Sequence, residues 1–181
     1  MQIAYQVKWQ HYRPSMNLPS YLHPWVMHAG SFMERLRQQG VNNLQVQLVN
    51  QSWQVPELSE RQQLGIAPRH YALIREVLIL SEKCKWMVAR TVLPRHTLTG
   101  KQRQLAFLKN RSLGSVLFKE AAGWRSEFEV ACMYPHVSWY AALLHAANID
   151  VVGLWARRSM FVLQAKPLLL TEVFLPDMQL I

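Results

Sequence analysis

Cysteine is scarce: Cys84 and Cys132 are the only two in 181 residues, and they lie far apart. That excludes a disulfide framework and a zinc site made of cysteine alone, and it predicts a reduced, cytoplasmic protein. Seven histidines are scattered without the HExxH or similar spacing that places two ligands on one face. Neither GxGxxG nor GxxxxGK[ST] occurs, so neither of those phosphate loops is present. Long apolar runs are missing too. The richest, Ala141 to Trp155, is broken by His145, Asn148 and Asp150, short of the ~20 residues a membrane helix needs. The first ten residues lack the basic-then-apolar order of a signal peptide. Acidic side chains are few, 11 against 20 Lys and Arg, for a formal net charge of +9. The basic residues are spread along the chain and not gathered in one aromatic-interleaved stretch. Nucleic acid is therefore not the expected partner, while small anions stay open.

What is present suits one domain with a substantial core: half the residues are apolar and 17% are charged. Pro14 to Pro24 holds three prolines and reads as coil. Ser31 followed by Glu34 predicts a capped helix start, Phe32, Met33 and Leu36 its apolar side, and Gly40 its stop. Leu44, Val46 and Leu48 alternate as in a strand with one wet face. Tyr71 to Leu80 and Trp86 to Leu93 read as a hairpin around Ser81-Glu82-Lys83. Lys101 to Lys109 has helical spacing in Leu105 and Leu108, and Phe128 with Val130 marks a short strand. Ser138 to Asn148 reads as a helix capped by Ser138, with stripes Trp139, Leu143, Ala146 and Tyr140, Leu144, Ala147. So much apolar surface calls for cover, either the sheet or a second chain. Ser159 to Ala165 and Leu168 to Leu175 are strands flanking Lys166-Pro167. Long strands, short turns and few helices predict an α+β fold: one antiparallel sheet with helices packed on it.

Ionisable groups inside apolar strands are the chemical signal. By strand parity Arg75 shares a face with Leu73, Val77 and Ile79, while Glu76 points the other way. Arg90 shares a face with Trp86, Val88 and Val92, and Glu172 with Leu168, Leu170 and Phe174. A buried unpaired charge costs several kcal/mol, so each needs a partner. Arg75 either pairs with protein groups or faces a cavity and awaits a carboxylate, which its guanidinium fork fits. Arg157-Arg158 reads as a solvated pair.

One set of segments, in order and spacing, resembles the chorismate lyase family. They are Met87-Val88-Ala89-Arg90-Thr91-Val92-Leu93-Pro94, Thr97-Leu98-Thr99-Gly100, Ser112-Leu113-Gly114, Leu117-Phe118, Trp155-Ala156-Arg157-Arg158-Ser159, and Lys166 to Pro176. The resemblance runs from about Gly30 to Pro176. It implies one antiparallel sheet of about six strands over a buried ligand pocket. It implies conversion of chorismate to 4-hydroxybenzoate and pyruvate at the start of ubiquinone biosynthesis, with no metal and no organic cofactor. Residue by residue, it implies that Arg75 and the Leu113 amide hold the ring carboxylate. Glu172 meets the ring hydroxyl, and Phe32 closes the pocket.

The chemistry calls for a further cation beside the departing enolpyruvate, and Arg90 is the candidate. Glu172, among leucines, reads as a hydrogen-bond partner or a base, and burial tends to raise its pKa. Two features depart from the family: Phe32-Met33 after Ser31, and an extra segment, Tyr134 to Val151. They keep open a diverged lyase for another chorismate-derived acid. A non-catalytic effector-binding module is the other rival, since related folds serve as sensing domains of bacterial repressors. The expected state is a monomer or weak dimer without membrane insertion.

Overall fold

The structure is a computed structural model that describes residues 7–117 and 124–181; Phe118 of the quoted motif lies outside them. In chain order its elements are β1 (Gln10–His11), α1 (His23–Val26), α2 (Phe32–Gln38), β2 (Gln45–Gln54), α3 (Leu58–Leu64), β3 (Ala72–Leu80), β4 (Lys85–Pro94), α4 (Gly114–Leu117), β5 (Trp124–Arg125), β6 (Glu129–Met133), α5 (Ser138–Ala146), β7 (Leu154–Leu163) and β8 (Lys166–Phe174). Short 3₁₀ helices span Ser20–Leu22, Gly100–Phe107 and Pro176–Leu180. Lys101 to Lys109 thus winds mostly as a 3₁₀ helix that buries Leu105. Pro24 lies in the first turn of α1, where its missing N–H costs nothing.

The strands form one antiparallel sheet in the order β1-β6-β7-β8-β4-β3-β2, with β5 pairing off the path with β7. Among the described residues the sheet has eight strands: the about six expected, with β1 and β5 added as two-residue strands too short to show alternation. β7 begins at Leu154, five residues before the expected start at Ser159. The β7–β8 turn falls on Gln164 and Ala165, both at positive φ (50° and 62°), as in a primed hairpin turn. Pro167, expected in the turn, is inside β8 and pairs with Val162.

Alternation splits the core between two faces. The front carries Val77, Ile79, Met87, Ala89 and Phe174 under α1 and α2. It continues into Leu73, Leu105, Leu113, Leu117, Phe161 and Leu168. The back carries Leu78, Val88, Ala156 and Val173 under α5. A register shift between Ile79 and Leu80 breaks strict parity near the strand end. Trp86 therefore joins the front cluster with Met87, not the back face with Val88.

Ser31 caps α2, its Oγ accepting from the Glu34 N–H at 3.3 Å, and Gly40 at φ 84° follows its end. The two-way capping box is at α3, where Glu60 accepts from the Glu57 N–H. In α5 the cap is Val137, not Ser138. Tyr140, Leu143, Leu144 and Ala147, at i, i+3, i+4 and i+7, are buried against the back of the sheet. The segment from Tyr134 to Val151 thus covers the sheet of its own chain. No helix among the described residues is long and apolar enough to cross a membrane.

Candidate active site

The front of the sheet holds a cavity with an apolar floor of Val77, Ile79, Met87, Ala89 and Leu170. Gly30 to Met33 form one wall, Ser112 to Gly114 with Leu117 another, and Phe161 closes a side. Among the described residues, three charged side chains reach it: Arg75, Arg125 and Glu172. The structure thus brings Arg75, Leu113, Glu172 and Phe32 together around one space.

Arg75 projects from the middle of β3 and is 1% exposed. Its Nη2 donates to the carbonyls of Lys109 (2.9 Å) and Arg111 (2.8 Å). That arrangement needs a tight loop, and Lys109 supplies it at φ 50°. Asn110 ties the loop to β2 by accepting from the Leu48 N–H at 3.0 Å. Arg75 therefore positions the loop that leads to Leu113. Its Nε is buried without a partner, and no carboxylate among the described residues pairs with it. Burial pushes its pKa down to about 10, so it stays protonated at neutral pH.

Glu172, on β8, is 5% exposed. Arg157, its cross-strand partner on β7, grips both oxygens: Nε donates to Oε2 at 2.6 Å and Nη2 to Oε1 at 3.1 Å. Burial would raise the Glu172 pKa, but Arg157, then Arg125 and His28, outweigh it and hold it below its ordinary value. The expectation of a raised pKa is corrected: Glu172 is a carboxylate, a hydrogen-bond acceptor with no proton to give at neutral pH. Nη1 of Arg157 donates to the carbonyls of Trp25, Val26 and His28. The same arginine thereby orients Glu172 and fixes the chain entering the Gly30–Met33 wall. That wall is tight, since a Cβ on Gly30 would meet His28 Nε2 at 2.8 Å. Phe32 packs between Trp25 and Phe174, with ring centroids at 5.3 and 6.2 Å.

Arg90 is not at this site. Its side chain lies on the back of the sheet, where Nε and Nη2 donate to Glu60 (2.8 and 3.2 Å) and Nη1 to Glu76 (2.6 Å). The Trp139 ring of α5 covers the guanidinium at 4.9 Å. Burial alone would lower the Arg90 pKa, but Glu60 and Glu76 reverse that and raise it. Arg90 is a fully paired internal cation, and the assignment to the enolpyruvate is withdrawn.

Arg157 and Arg125 are the two arginines of the site that escaped the sequence. Arg157 and Arg158 are both buried, not a solvated pair, and Arg158 bonds Glu129 at 2.8 Å. A strand drawn from Leu154, with the turn at Gln164 and Ala165, would have put Arg157 opposite Glu172; one drawn from Ser159 omits it. Arg125 sits in a two-residue strand with no pattern of its own, and only its pairing with Phe161 brings it to the cavity.

The fold is shared with the effector domain of PhnF from Mycobacterium smegmatis: TM-score 0.56, 16% identity, 83% of this chain and 91% of that one. A PhnF structure from the same organism gives 0.59, covering 83% and 66%. At such identity the likeness is one of fold alone. Sequence is more specific. The chain belongs to the family described as chorismate lyase, which it matches over residues 3–180. It is 33% identical to a probable chorismate pyruvate-lyase of Coxiella burnetii, covering 90% of each chain. It is 36% identical to one of Pseudomonas aeruginosa, covering 85% of this chain and 83% of that one. A chorismate pyruvate-lyase of Pectobacterium atrosepticum is 31% identical, over 94% and 85%.

Proposed function

We propose that this chain is a chorismate pyruvate-lyase, converting chorismate to 4-hydroxybenzoate and pyruvate at the start of ubiquinone biosynthesis. The observation that carries the reading is the convergence of Arg75 and Glu172 on one apolar cavity in a member of the chorismate lyase family. Arg75, unpaired by any described carboxylate, takes the ring carboxylate with the guanidinium donors that the Lys109 and Arg111 carbonyls leave over, with the Leu113 amide beside it. Glu172, held ionised by Arg157, accepts a hydrogen bond from the ring hydroxyl. Phe32 and its neighbours close the wall over the ring.

The reaction balances without water or an external electron donor. The carbon bearing the hydroxyl loses its hydrogen as a proton. The bond from the adjacent carbon to the ether oxygen breaks, and its electron pair leaves with the enolpyruvate. That fragment takes up one proton at carbon to become pyruvate, and the ring becomes aromatic. The protein's task is to fix the ring and stabilise the leaving anion. Residues 1–181 act as one unit in this reading, a monomer or weak dimer in the cytoplasm that needs no metal, organic cofactor or nucleic acid. Two free thiols, Cys84 and Cys132, support a reducing compartment.

The test is to supply chorismate to the purified chain and follow both products, 4-hydroxybenzoate by its absorbance and pyruvate by reduction to lactate. Equimolar appearance of the two is expected. Chorismate that binds but is not consumed would replace the lyase by a non-catalytic effector-binding module. Turnover of only another aromatic or chorismate-derived acid would make it a diverged lyase.

A further inference from the structure

Chorismate is a dianion, and the roles above provide for one carboxylate only. We propose that Arg125 receives the second, the enolpyruvyl carboxylate, and so distinguishes the substrate from the monocarboxylate product. This rests on the reading of the cavity as a chorismate site.

Position carries the inference. The enolpyruvyl ether and the hydroxyl occupy adjacent ring carbons, so the second carboxylate must lie next to whatever meets the hydroxyl. Arg125 lines the cavity, and its Nη2 lies 3.4 Å from Glu172 Oε2. Arg157, the other cation on Glu172, is directed at Glu172 and the carbonyls of Trp25, Val26 and His28 and does not line the cavity. Arg75 projects from β3, two strands away from the β8 that carries Glu172. Among the described residues, a ring spanning Arg75 and Glu172 thus leaves Arg125 as the lining cation at the ether end.

The guanidinium is held ready. Nε donates to Ser159 Oγ at 2.8 Å and Nη1 to the Ala29 carbonyl at 2.9 Å. The Phe128 and Phe161 rings flank it at 4.2 and 4.6 Å. Its one carboxylate contact, at 3.4 Å, is the longest of the buried ion pairs, and Arg157 already grips that carboxylate at 2.6 Å. Burial accordingly pushes the Arg125 pKa down to about 10, leaving a cation with unused capacity for an anion. Charge balance agrees. Among the described residues, Arg75 and Arg125 contribute two positive charges, and Glu172 is offset by Arg157, leaving an excess of two against a dianion. The Ala29 bond further links Arg125 to the Gly30–Met33 wall, so the second carboxylate would dock beside the segment that closes the pocket.

The test compares two inhibitors of chorismate turnover. One is 4-hydroxybenzoate; the other is 3-(1-carboxyvinyloxy)-4-hydroxybenzoate, an aromatic mimic that keeps both carboxylates. Arg125→Gln is expected to weaken the dicarboxylate by at least about 30-fold, the scale for losing one partner of a buried charge pair, and 4-hydroxybenzoate by less than about 3-fold. Arg125→Lys, which keeps the charge without the fork, is expected to weaken the dicarboxylate by about 10-fold with the same selectivity, and it carries the test if the glutamine variant does not fold. Equal losses for both inhibitors, or none for either, would overturn the assignment. A wild-type chain that neither turns over chorismate nor binds either inhibitor would instead overturn the reading of the site on which it rests.

Discussion

Both Nη2 hydrogens of Arg75 go to the carbonyls of Lys109 and Arg111, and its Nε has no partner. The guanidinium donors left over gain most from a bound carboxylate. Arg75→Ala is expected to weaken 4-hydroxybenzoate binding by about 2–5 kcal/mol, measured by calorimetry; unchanged affinity would remove Arg75 from the site. Glu172 differs, being already satisfied by Arg157. Its folded pKa lies below its ordinary value of 4.5, so the ionised pair stabilises the fold above about pH 4.5. That contribution is lost as pH falls through the folded pKa. Glu172→Gln leaves Arg157 buried without its counter-charge and is expected to cost about 3–5 kcal/mol at pH 7. In urea unfolding at successive pH values, the gap to wild type should narrow as the solution is acidified below 4.5. A gap that widens in acid would contradict the lowered pKa.

The elements divide the labour between the faces of the sheet. The front holds the cavity; the back is closed by α3, which brings Glu60 to Arg90, and by α5. Since Arg90 serves the back, Arg90→Ala is expected to destabilise the chain by about 3–5 kcal/mol, from two carboxylates left without their cation. It should leave the 4-hydroxybenzoate affinity of the folded fraction unchanged; a selective loss of affinity at full stability would restore Arg90 to the site. Helix α5 buries Tyr140, Leu143 and Leu144 on its own sheet. Leu143→Ala is expected to cost about 2–5 kcal/mol in chemical unfolding through the cavity it leaves. Sedimentation should find the same association state before and after. A change in association without a loss of stability would assign the helix to an interface between chains.

At the scale of the molecule, the sheet was legible where alternation is long. β3 and β4 fall within a residue of expectation, because nine or ten residues of apolar patterning leave one solution. Parity also put Arg75 and Glu172 each on an apolar face of its own strand, and their closeness to one cavity needed only the strand order. The order itself was hidden: β8 pairs with β4 across more than seventy residues, and no local pattern records that. Arg90 shows the consequence, since parity named its face but not that Glu60, from a helix thirty residues away, would neutralise it. Arg125 was illegible for another reason, its two-residue strand carrying no period. In the proposed function the front cavity holds the product with its carboxylate at Arg75 and its hydroxyl at Glu172. A crystal structure of the chain with 4-hydroxybenzoate measures this most directly. The expected result is a charge-assisted hydrogen bond from Arg75 to the product carboxylate and the phenolic oxygen within about 3 Å of a Glu172 oxygen. A product bound in reverse, or bound at the exposed groove of Trp53, His70, Tyr71 and Arg95, would contradict it.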